Sequence, residues 1–257
     1  MNYIDLFSGI GGFALGAYWA GWRFDKHYFS EIDPWCCKLY QQRFPEAITL
    51  GDIEGIDGRR LVSDAKREWE VEYGRKETGG SVENVSSRQC EEWVITGGFP
   101  CQDISTAGKG AGITGERSGL WFEYARLIGE IRPRYAIMEN VGALTRRGLD
   151  RVLGSLAEIG YDAEWSDIRA SDVGAPHRRE RIWIVAYPHK SQLERRGLSC
   201  GENSEHSNTF VKGWWETEPD VGRVAYGIPS WVDRLKGLGN AIVPQIAEMI
   251  FRQLRGY

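Results

Sequence analysis

The sequence predicts an α/β fold built on a doubly wound, Rossmann-like parallel sheet. An apolar run at residues 2–7 passes into a glycine-rich turn and then into a helical stretch, which begins a strand–helix–strand unit. Further short apolar runs follow, and several of them end in an acidic or reactive residue. Strands and helices that alternate in this way form parallel sheets, which bind ligands at the carboxyl ends of their strands.

The composition is that of a globular chain. Its 257 residues are 42% hydrophobic and 26% charged, which suits one sizeable domain with or without a small appendage. We find no signal peptide and no apolar run long enough to span a bilayer, so we expect a cytoplasmic location. The 5 cysteines include no C-x-x-C pair, so we expect neither disulfides nor a metal. The net charge of -4 does not indicate nucleic-acid binding, although a local basic surface could still provide it.

The first predicted strand runs into a glycine motif. Gly9, Gly11 and Ala14 fit G-x-G-x-x-A, a pattern that lets the backbone turn tightly and approach a ligand. The second strand, in "FDKHYFSEID", places Glu31 about twenty residues later, where an acid can accept hydrogen bonds from ribose hydroxyls. Asp52 follows in "ITLGDI", where a third strand should end. A nicotinamide, an adenosine or a methyl donor would all fit, and a tight turn without a ligand stays open as well.

Residues 58–90 are polar and charged and predict an insertion in the fold. A helix is expected around 60–73, followed by a loop. We interpret the insertion as solvated and without a role in chemistry.

A fourth strand, "WVITGGF", delivers Pro100 and Cys101 to a loop at its end. A thiolate is the most nucleophilic ordinary side chain, and strand-end loops are where doubly wound folds carry out chemistry. A buried structural cysteine is the alternative, which the small and polar neighbours of Cys101 disfavour. A protease-type Cys–His pair lacks any local signature.

Two later strands bring charged side chains to the same edge. The run "RYAIMENV" ends in Glu139 and Asn140, on the rim that should carry the cysteine. In "HRRERIWIVA", Arg179 and Arg181 are two residues apart at the start of an apolar run. In extended chain these two guanidinium groups point to one face and Glu180 to the other.

These segments together resemble the motifs of one enzyme family. The chain has, in order, "DLFSGIGGF", "SEID", "GDI", "GGFPCQDIS", "RSGLWFEYARLI", "ENV", "APHRRERIWIVA" and "LGNAIVP". This set resembles the cytosine-C5 DNA methyltransferases, and most closely the phage and bacterial enzymes. The resemblance covers most of the chain and implies a Rossmann-like methyltransferase sheet in a prokaryotic or phage-infected cell.

The resemblance implies a covalent mechanism on cytosine. Cys101 would add to C6 of the base, and Glu139 would contact N3 and the exocyclic amine. Arg179 and Arg181 would hold the cytosine O2 and a nearby phosphate. The methyl donor would be S-adenosylmethionine, and the base would be flipped out of double-stranded DNA to reach the pocket.

The resemblance also implies a set of cofactor contacts. Glu31 would bind the ribose hydroxyls, Ile32 would cover the adenine, and Asp52 would accept from the adenine amine. The full set is Phe7, Gly9, Gly11, Glu31, Ile32, Asp52, Ile53, Pro100, Leu120 and Asn240. A final helix at about 240–254 would return to the first strands.

The resemblance divides the chain into a catalytic domain at 1–187, a small target-recognition region at 188–226, and a returning segment at 227–257. The recognition region is short for the family, and we expect it to read a short DNA site. It combines positive charge with tryptophan, in Lys190, Arg195, Arg196, Lys212, Trp214, Trp215 and Arg223. The chain departs from the family pattern at His177, where glutamine is usual, and in lacking the R-x-L-T-x-R-E pattern. We expect a monomer.

Three other classes fit part of the pattern. A tRNA cytosine methyltransferase shares many of these motifs, but the Cys-Phe-Thr insertion of its eukaryotic relatives is missing. An inactive regulatory homologue would be expected to have lost Cys101 or Glu139. A nicotinamide dehydrogenase would explain Gly9, Gly11 and Glu31 but neither "GFPCQ" nor "ENV". The target sequence, and the choice between a restriction–modification role and phage protection, stay open.

Overall fold

The computed structural model describes residues 1–73, 92–100, 119–189 and 241–255. Seven strands form one sheet: β1 Asn2–Leu6, β2 Lys26–Ser30, β3 Ile48–Thr49, β4 Trp93–Gly97, β5 Tyr135–Val141, β6 Tyr161–Arg169 and β7 Glu180–Pro188. The described helices are α1 Gly12–Trp19, α2 Pro34–Arg43, α3 Gly58–Tyr73, α4 Leu120–Ile131, α5 Leu144–Arg147, α6 Leu149–Glu158 and α7 Pro244–Arg255. The expected helix around 60–73 is therefore confirmed.

The strand order is β3-β2-β1-β4-β5-β7-β6. The later strands are therefore added on both sides of β1. The first five strands pair in parallel, as the strand–helix–strand pattern predicts. The prediction of a parallel sheet is wrong at one edge, because β7 runs antiparallel to both β5 and β6. No helix crosses over between β6 and β7, since only residues 170–179 join them, so the second strand must return in the opposite direction.

Helices cover both faces of the sheet. On one face α3, α4 and α6 enclose a core around Trp93, Trp121 and Met138. On the other face α1, α2 and α7 enclose a core around Phe29, Tyr40 and other apolar side chains. The central strands β1 and β4 are buried throughout, as expected for a sheet covered on both sides.

The last helix packs against the first one, so the end of the described chain returns to its beginning. The indole Nε1 of Trp22 donates to the Phe251 carbonyl at 2.9 Å, and Arg255 donates to the Ala20 carbonyl at 3.0 Å. The helix begins at Pro244 rather than near residue 240, where we expected it. Proline is favoured in the first turn because its fixed φ suits the helix and its missing N–H has no partner to lose.

Candidate active site

The carboxyl ends of β1, β2, β4 and β5 meet along one edge of the sheet and carry most of the predicted site residues. At the β1 side, Glu31 holds the glycine turn. Its Oε2 accepts from the Gly9 N–H at 2.8 Å. Its Oε1 accepts from the N–H groups of Ile32 and Asp33, both at 2.9 Å. Glu31, which the sequence predicts to bind ribose hydroxyls, therefore also holds the glycine turn in place.

The turn after β1 has a left-handed backbone. The φ angles are 51° at Phe7, 51° at Gly9 and 83° at Gly11. A Cβ on Gly11 would lie 2.7 Å from the Phe44 ring, so only glycine fits there. Phe7 adopts this conformation without being glycine, and such strained residues concentrate at functional sites.

The other predicted cofactor residues lie in different environments. Ile32 is 72% exposed, directly after β2 and Glu31, where an apolar side chain could cover a ring. Asp52 is exposed, and its Oδ1 accepts from the Glu54 N–H at 3.2 Å at the start of a short 3₁₀ turn. Ile53 has its side chain in the core and is 2% exposed, so a ligand could reach its main chain only.

Phe7 and Leu120 are partly buried and pack against the same core cluster. Phe7 lies 6.4 Å, between ring centroids, from Tyr124 of α4. Pro100 is partly exposed just beyond β4. Cys101 and Asn240 lie outside the described residues, so their predicted roles stay predictions.

The Glu139 carboxylate is the most unusual charge in the site. The residue is 8% exposed and lies near the end of β5, and its Oε2 would be 3.2 Å from a Cβ on Gly98. The Arg181 Nε is 3.1 Å from Glu139 Oε1. This contact is an ion pair and lacks hydrogen-bond geometry, and the described residues donate no hydrogen bond to that oxygen. Glycine at residue 98 thus leaves room beside a buried carboxylate that still has capacity to accept or donate.

Burial raises the pKa of Glu139 from its ordinary value of 4.5 to about 7, although the charges of Arg181 and Arg179 oppose the shift. A carboxyl group with a pKa near 7 can exchange a proton at physiological pH. Perturbed acids of this kind mark candidate catalytic sites.

Arg179 and Arg181 both lie near Glu139, and their charges act to lower its pKa. Glu180 has other partners, since Arg169 and Arg178 approach its Oε2 at 3.3 and 3.2 Å. The backbone here is not the extended chain that was predicted, because Arg179 has a φ of 22°. Its Nη2 donates to the Ala241 carbonyl at 2.6 Å, which ties this loop to the start of the returning segment.

Asn140 is a site residue to which the sequence analysis gave no role. Its Nδ2 donates to the Phe99 carbonyl at 3.1 Å, and its Oδ1 accepts from the Val141 N–H at 2.8 Å. It thereby fixes the end of β5 to the segment that leads into Cys101. The position of Asn140 directly after Glu139 could have indicated a role in the site. Its partner could not be predicted, because Phe99 lies 41 residues away in the chain.

Within the described part of the chain, no group of three or more His, Cys, Asp or Glu side chains could hold a metal ion. None of the described helices is long and apolar enough to cross a membrane.

The sheet, the left-handed glycine turn after β1 and the buried acid near the end of β5 define a Rossmann-like α/β protein with a candidate ligand site at its strand ends. The structure resembles that of the Entamoeba histolytica methyltransferase EhMeth, with a TM-score of 0.52 and 18% identity over 75% of this chain and 55% of that one. The chain belongs to the family described as C-5 cytosine-specific DNA methylase, whose profile matches residues 1–224.

Two curated relatives show the same family. The Type II methyltransferase M1.ScrFI of Lactococcus lactis subsp. cremoris is 33% identical over 73% of this chain and 42% of its own length. The Type II methyltransferase M.NgoBI of Neisseria gonorrhoeae is 33% identical over 72% of this chain and 50% of its own length. The chain spans about half the length of the curated relatives that it matches.

Proposed function

We propose that this protein is a DNA (cytosine-5-)-methyltransferase that acts on a flipped cytosine in double-stranded DNA. The observation that carries the proposal is the buried Glu139–Arg181 pair at the strand end next to the segment leading into Cys101. A Type II relative and the family profile support the same reaction class. Cys101 is the nucleophile in this proposal, and residues 188–226 read the target site.

The proposed reaction begins with a thiolate at Cys101 that adds to C6 of the cytosine. Glu139, with its pKa near 7, donates a proton at N3 as the new bond forms, so that C5 becomes nucleophilic. Arg181 and Arg179 hold the base oxygen and the nearby phosphate. After C5 is methylated, it loses its proton to a base, N3 returns its proton to the Glu139 carboxylate, and elimination of the Cys101 thiolate restores the ring.

S-adenosylmethionine would supply the methyl group. The residues present fit it: Glu31 sits at the end of β2, the glycine turn faces it, and exposed Ile32 offers an apolar surface beside both. The full set of proposed contacts is Phe7, Gly9, Gly11, Glu31, Ile32, Asp52, Ile53, Pro100, Leu120 and Asn240.

Loss of Glu31 is expected to weaken S-adenosylmethionine binding more than loss of Asp52. Glu31→Ala removes a ribose ligand together with the anchor of Gly9, and should cost about 1–3 kcal/mol of binding free energy. Asp52→Ala should cost less, since this side chain is exposed to solvent. Calorimetric titration of each variant with S-adenosylmethionine measures both effects.

Asp57→Ala is the matched control for this comparison. Asp57 accepts from the Arg60 N–H at 2.9 Å, so its loss removes a similar local contact outside the proposed site. Its affinity for S-adenosylmethionine should equal that of the wild type. Unchanged affinity in both Glu31→Ala and Asp52→Ala would show that the cofactor lies elsewhere.

The function is tested by bisulfite sequencing of both the DNA and the RNA from cells that produce the protein. We expect methylated cytosine at one short sequence and none there in cells that produce Cys101→Ser. The same map identifies the target site. Methylation of RNA with none on DNA would contradict the proposed substrate, and no methylation of either would contradict the activity.

A further inference from the structure

A chain of buried polar side chains lies beneath the glycine turn, and the proposed chemistry does not use it. Its centre is Asp5 in β1, which is completely buried. The carboxylate accepts from Thr96 Oγ1 of β4 at 2.9 Å and from the Tyr40 hydroxyl of α2 at 3.0 Å. Charged residues are almost never buried this completely unless they are paired, so a role for Asp5 is called for.

With an ionised Asp5, which can only accept, the hydrogens of this network all point towards the carboxylate. Tyr40 gives its one proton to Asp5, so the His27 Nε2, 2.7 Å from the Tyr40 oxygen, must be the donor in that contact. Thr96 likewise gives its proton to Asp5, so the Tyr3 hydroxyl, 2.7 Å from Thr96 Oγ1, must donate as well. The two arms of the network, His27–Tyr40 and Tyr3–Thr96, therefore both fit an ionised carboxylate. A protonated Asp5 would have to donate, and one arm would have to reverse.

Burial keeps the two arms in this form. It lowers the pKa of His27 to about 4, so the ring is neutral near pH 7 and carries a single N–H. It raises the pKa of Tyr40 and Tyr3 well above 10, so both hydroxyls retain their protons. The Tyr18 hydroxyl, 3.2 Å from His27 Nδ1, supplies the donor on the far side of the ring.

The same carboxylate reaches the first turn of α1. The N–H of Ala14, in the first turn of the helix, lowers the pKa of this carboxylate. The ring of Tyr40, whose hydroxyl donates to Asp5, would lie 3.1 Å from a Cβ on Gly11. The residue at the N-cap position of α1 is Gly11, which has no side chain with which to cap the helix. Asp5 therefore provides the cap from a neighbouring strand, and the segment that it fixes is the turn holding Gly9 and Gly11.

We propose that Asp5 is a positioning residue for the cofactor: its ionised carboxylate, oriented by Tyr40 and Thr96, caps α1 and holds the glycine turn in its binding conformation. This inference rests on the proposed function, since it concerns the S-adenosylmethionine site. Glu31 fixes the turn from outside through Gly9, and Asp5 fixes it from beneath. Asp5 itself is buried and is not a contact of the cofactor.

The proposal makes cofactor affinity depend on pH. Burial raises the pKa of Asp5 to about 7, against the hydrogen bonds from Thr96, Tyr40 and Ala14, and the charge of Glu31 raises it further. The other titratable groups that face it are Tyr3, Tyr40, His27 beyond Tyr40, and Tyr124 of α4. As the pH falls through 7, Asp5 gains a proton, the cap weakens, and affinity should fall about fivefold between pH 8 and pH 6.

The test is the dissociation constant of S-adenosylmethionine, measured calorimetrically from pH 6 to pH 8.5. Asp5→Asn should bind about fivefold more weakly at pH 8 and should lose the wild-type change with pH, leaving only the titration of the ligand. In turnover it should raise KM for the cofactor with little change in kcat. Equal pH dependence in the wild type and Asp5→Asn would overturn the inference.

A second pair of variants keeps the test valid if Asp5→Asn does not fold. Tyr40→Phe removes a donor to Asp5, so the midpoint of the affinity profile should move to higher pH. Tyr161→Phe is the control, since it removes a buried hydroxyl that donates to the Pro133 carbonyl at 2.7 Å outside this network. An unmoved midpoint in Tyr40→Phe contradicts the inference. A wild type that binds no S-adenosylmethionine at any pH contradicts the proposed function, and the inference with it.

Discussion

Replacement of Cys101 by serine is expected to abolish methyl transfer while cofactor binding stays near that of the wild type. A serine hydroxyl at neutral pH is a far weaker nucleophile than a thiolate, so C6 of the cytosine is not attacked. The substitution changes one atom and leaves the size of the side chain almost unchanged. Turnover is measured with labelled S-adenosylmethionine on duplex DNA, and binding by calorimetry.

Cys36→Ser is the control for this experiment, since Cys36 lies on α2, is 7% exposed and is not one of the proposed catalytic or cofactor residues. It should retain turnover. A duplex that contains 5-fluorocytosine gives an independent readout, because fluorine cannot leave as a cation and the covalent adduct should persist through denaturing electrophoresis. Normal turnover by Cys101→Ser, or no adduct with the wild type at saturating cofactor, would rule out the covalent role.

The sequence predicted the strand-end residues well because parallel strands place their carboxyl ends on one edge. Glu31 after β2 and Glu139 at the end of β5 could be found from short apolar runs alone. The α3 helix was predicted around 60–73, within the polar segment at 58–90. The start of α7 was missed, although Pro244 was a readable signal for a first helical turn.

Long-range geometry could not be predicted in the same way. The reversal of β7 depends on how a short connection returns along the sheet, which periodicity does not encode. The positive φ at Arg179 belongs to a residue type that rarely adopts it. The donors to Asp5 lie 35 and 91 residues away in the chain, so no local sequence pattern could indicate them.

For Glu139, the position could be predicted from the sequence, but the pKa could not. Its raised pKa depends on burial between β4, β5 and β7. A group with a pKa near 7 when folded and 4.5 when unfolded holds its proton longer in the folded protein. The contribution of Glu139 to the free energy of unfolding therefore falls as the pH rises from about 4.5 to about 7, and it is constant above that range. A buried acid that lowers stability at the working pH is typical of a functional group.

Glu139→Gln is accordingly expected to reduce kcat by about 10²–10⁴-fold, the usual contribution of a positioned general acid. Glutamine keeps the size of the side chain but cannot deliver a proton to N3. The pH profile of the wild type should lose activity as Glu139 ionises above about 7, and the residual activity of the variant should lack this decrease. Thermal unfolding should show the variant gaining stability relative to the wild type between pH 5 and pH 7, by about 2 kcal/mol.

Glu92→Gln provides the matched control on the same two strands. Glu92 precedes β4 and pairs with Arg134, which precedes β5, at an N–O distance of 3.0 Å. The pair thus lies at the opposite end of β4 and β5 from Glu139. Loss of Glu92 removes an acid–arginine contact without touching the site. Its turnover should match the wild type at every pH. If Glu139→Gln and Glu92→Gln reduced turnover equally, or if the relative stability of Glu139→Gln did not change with pH, Glu139 would be a structural partner of Arg181 and not the proton donor.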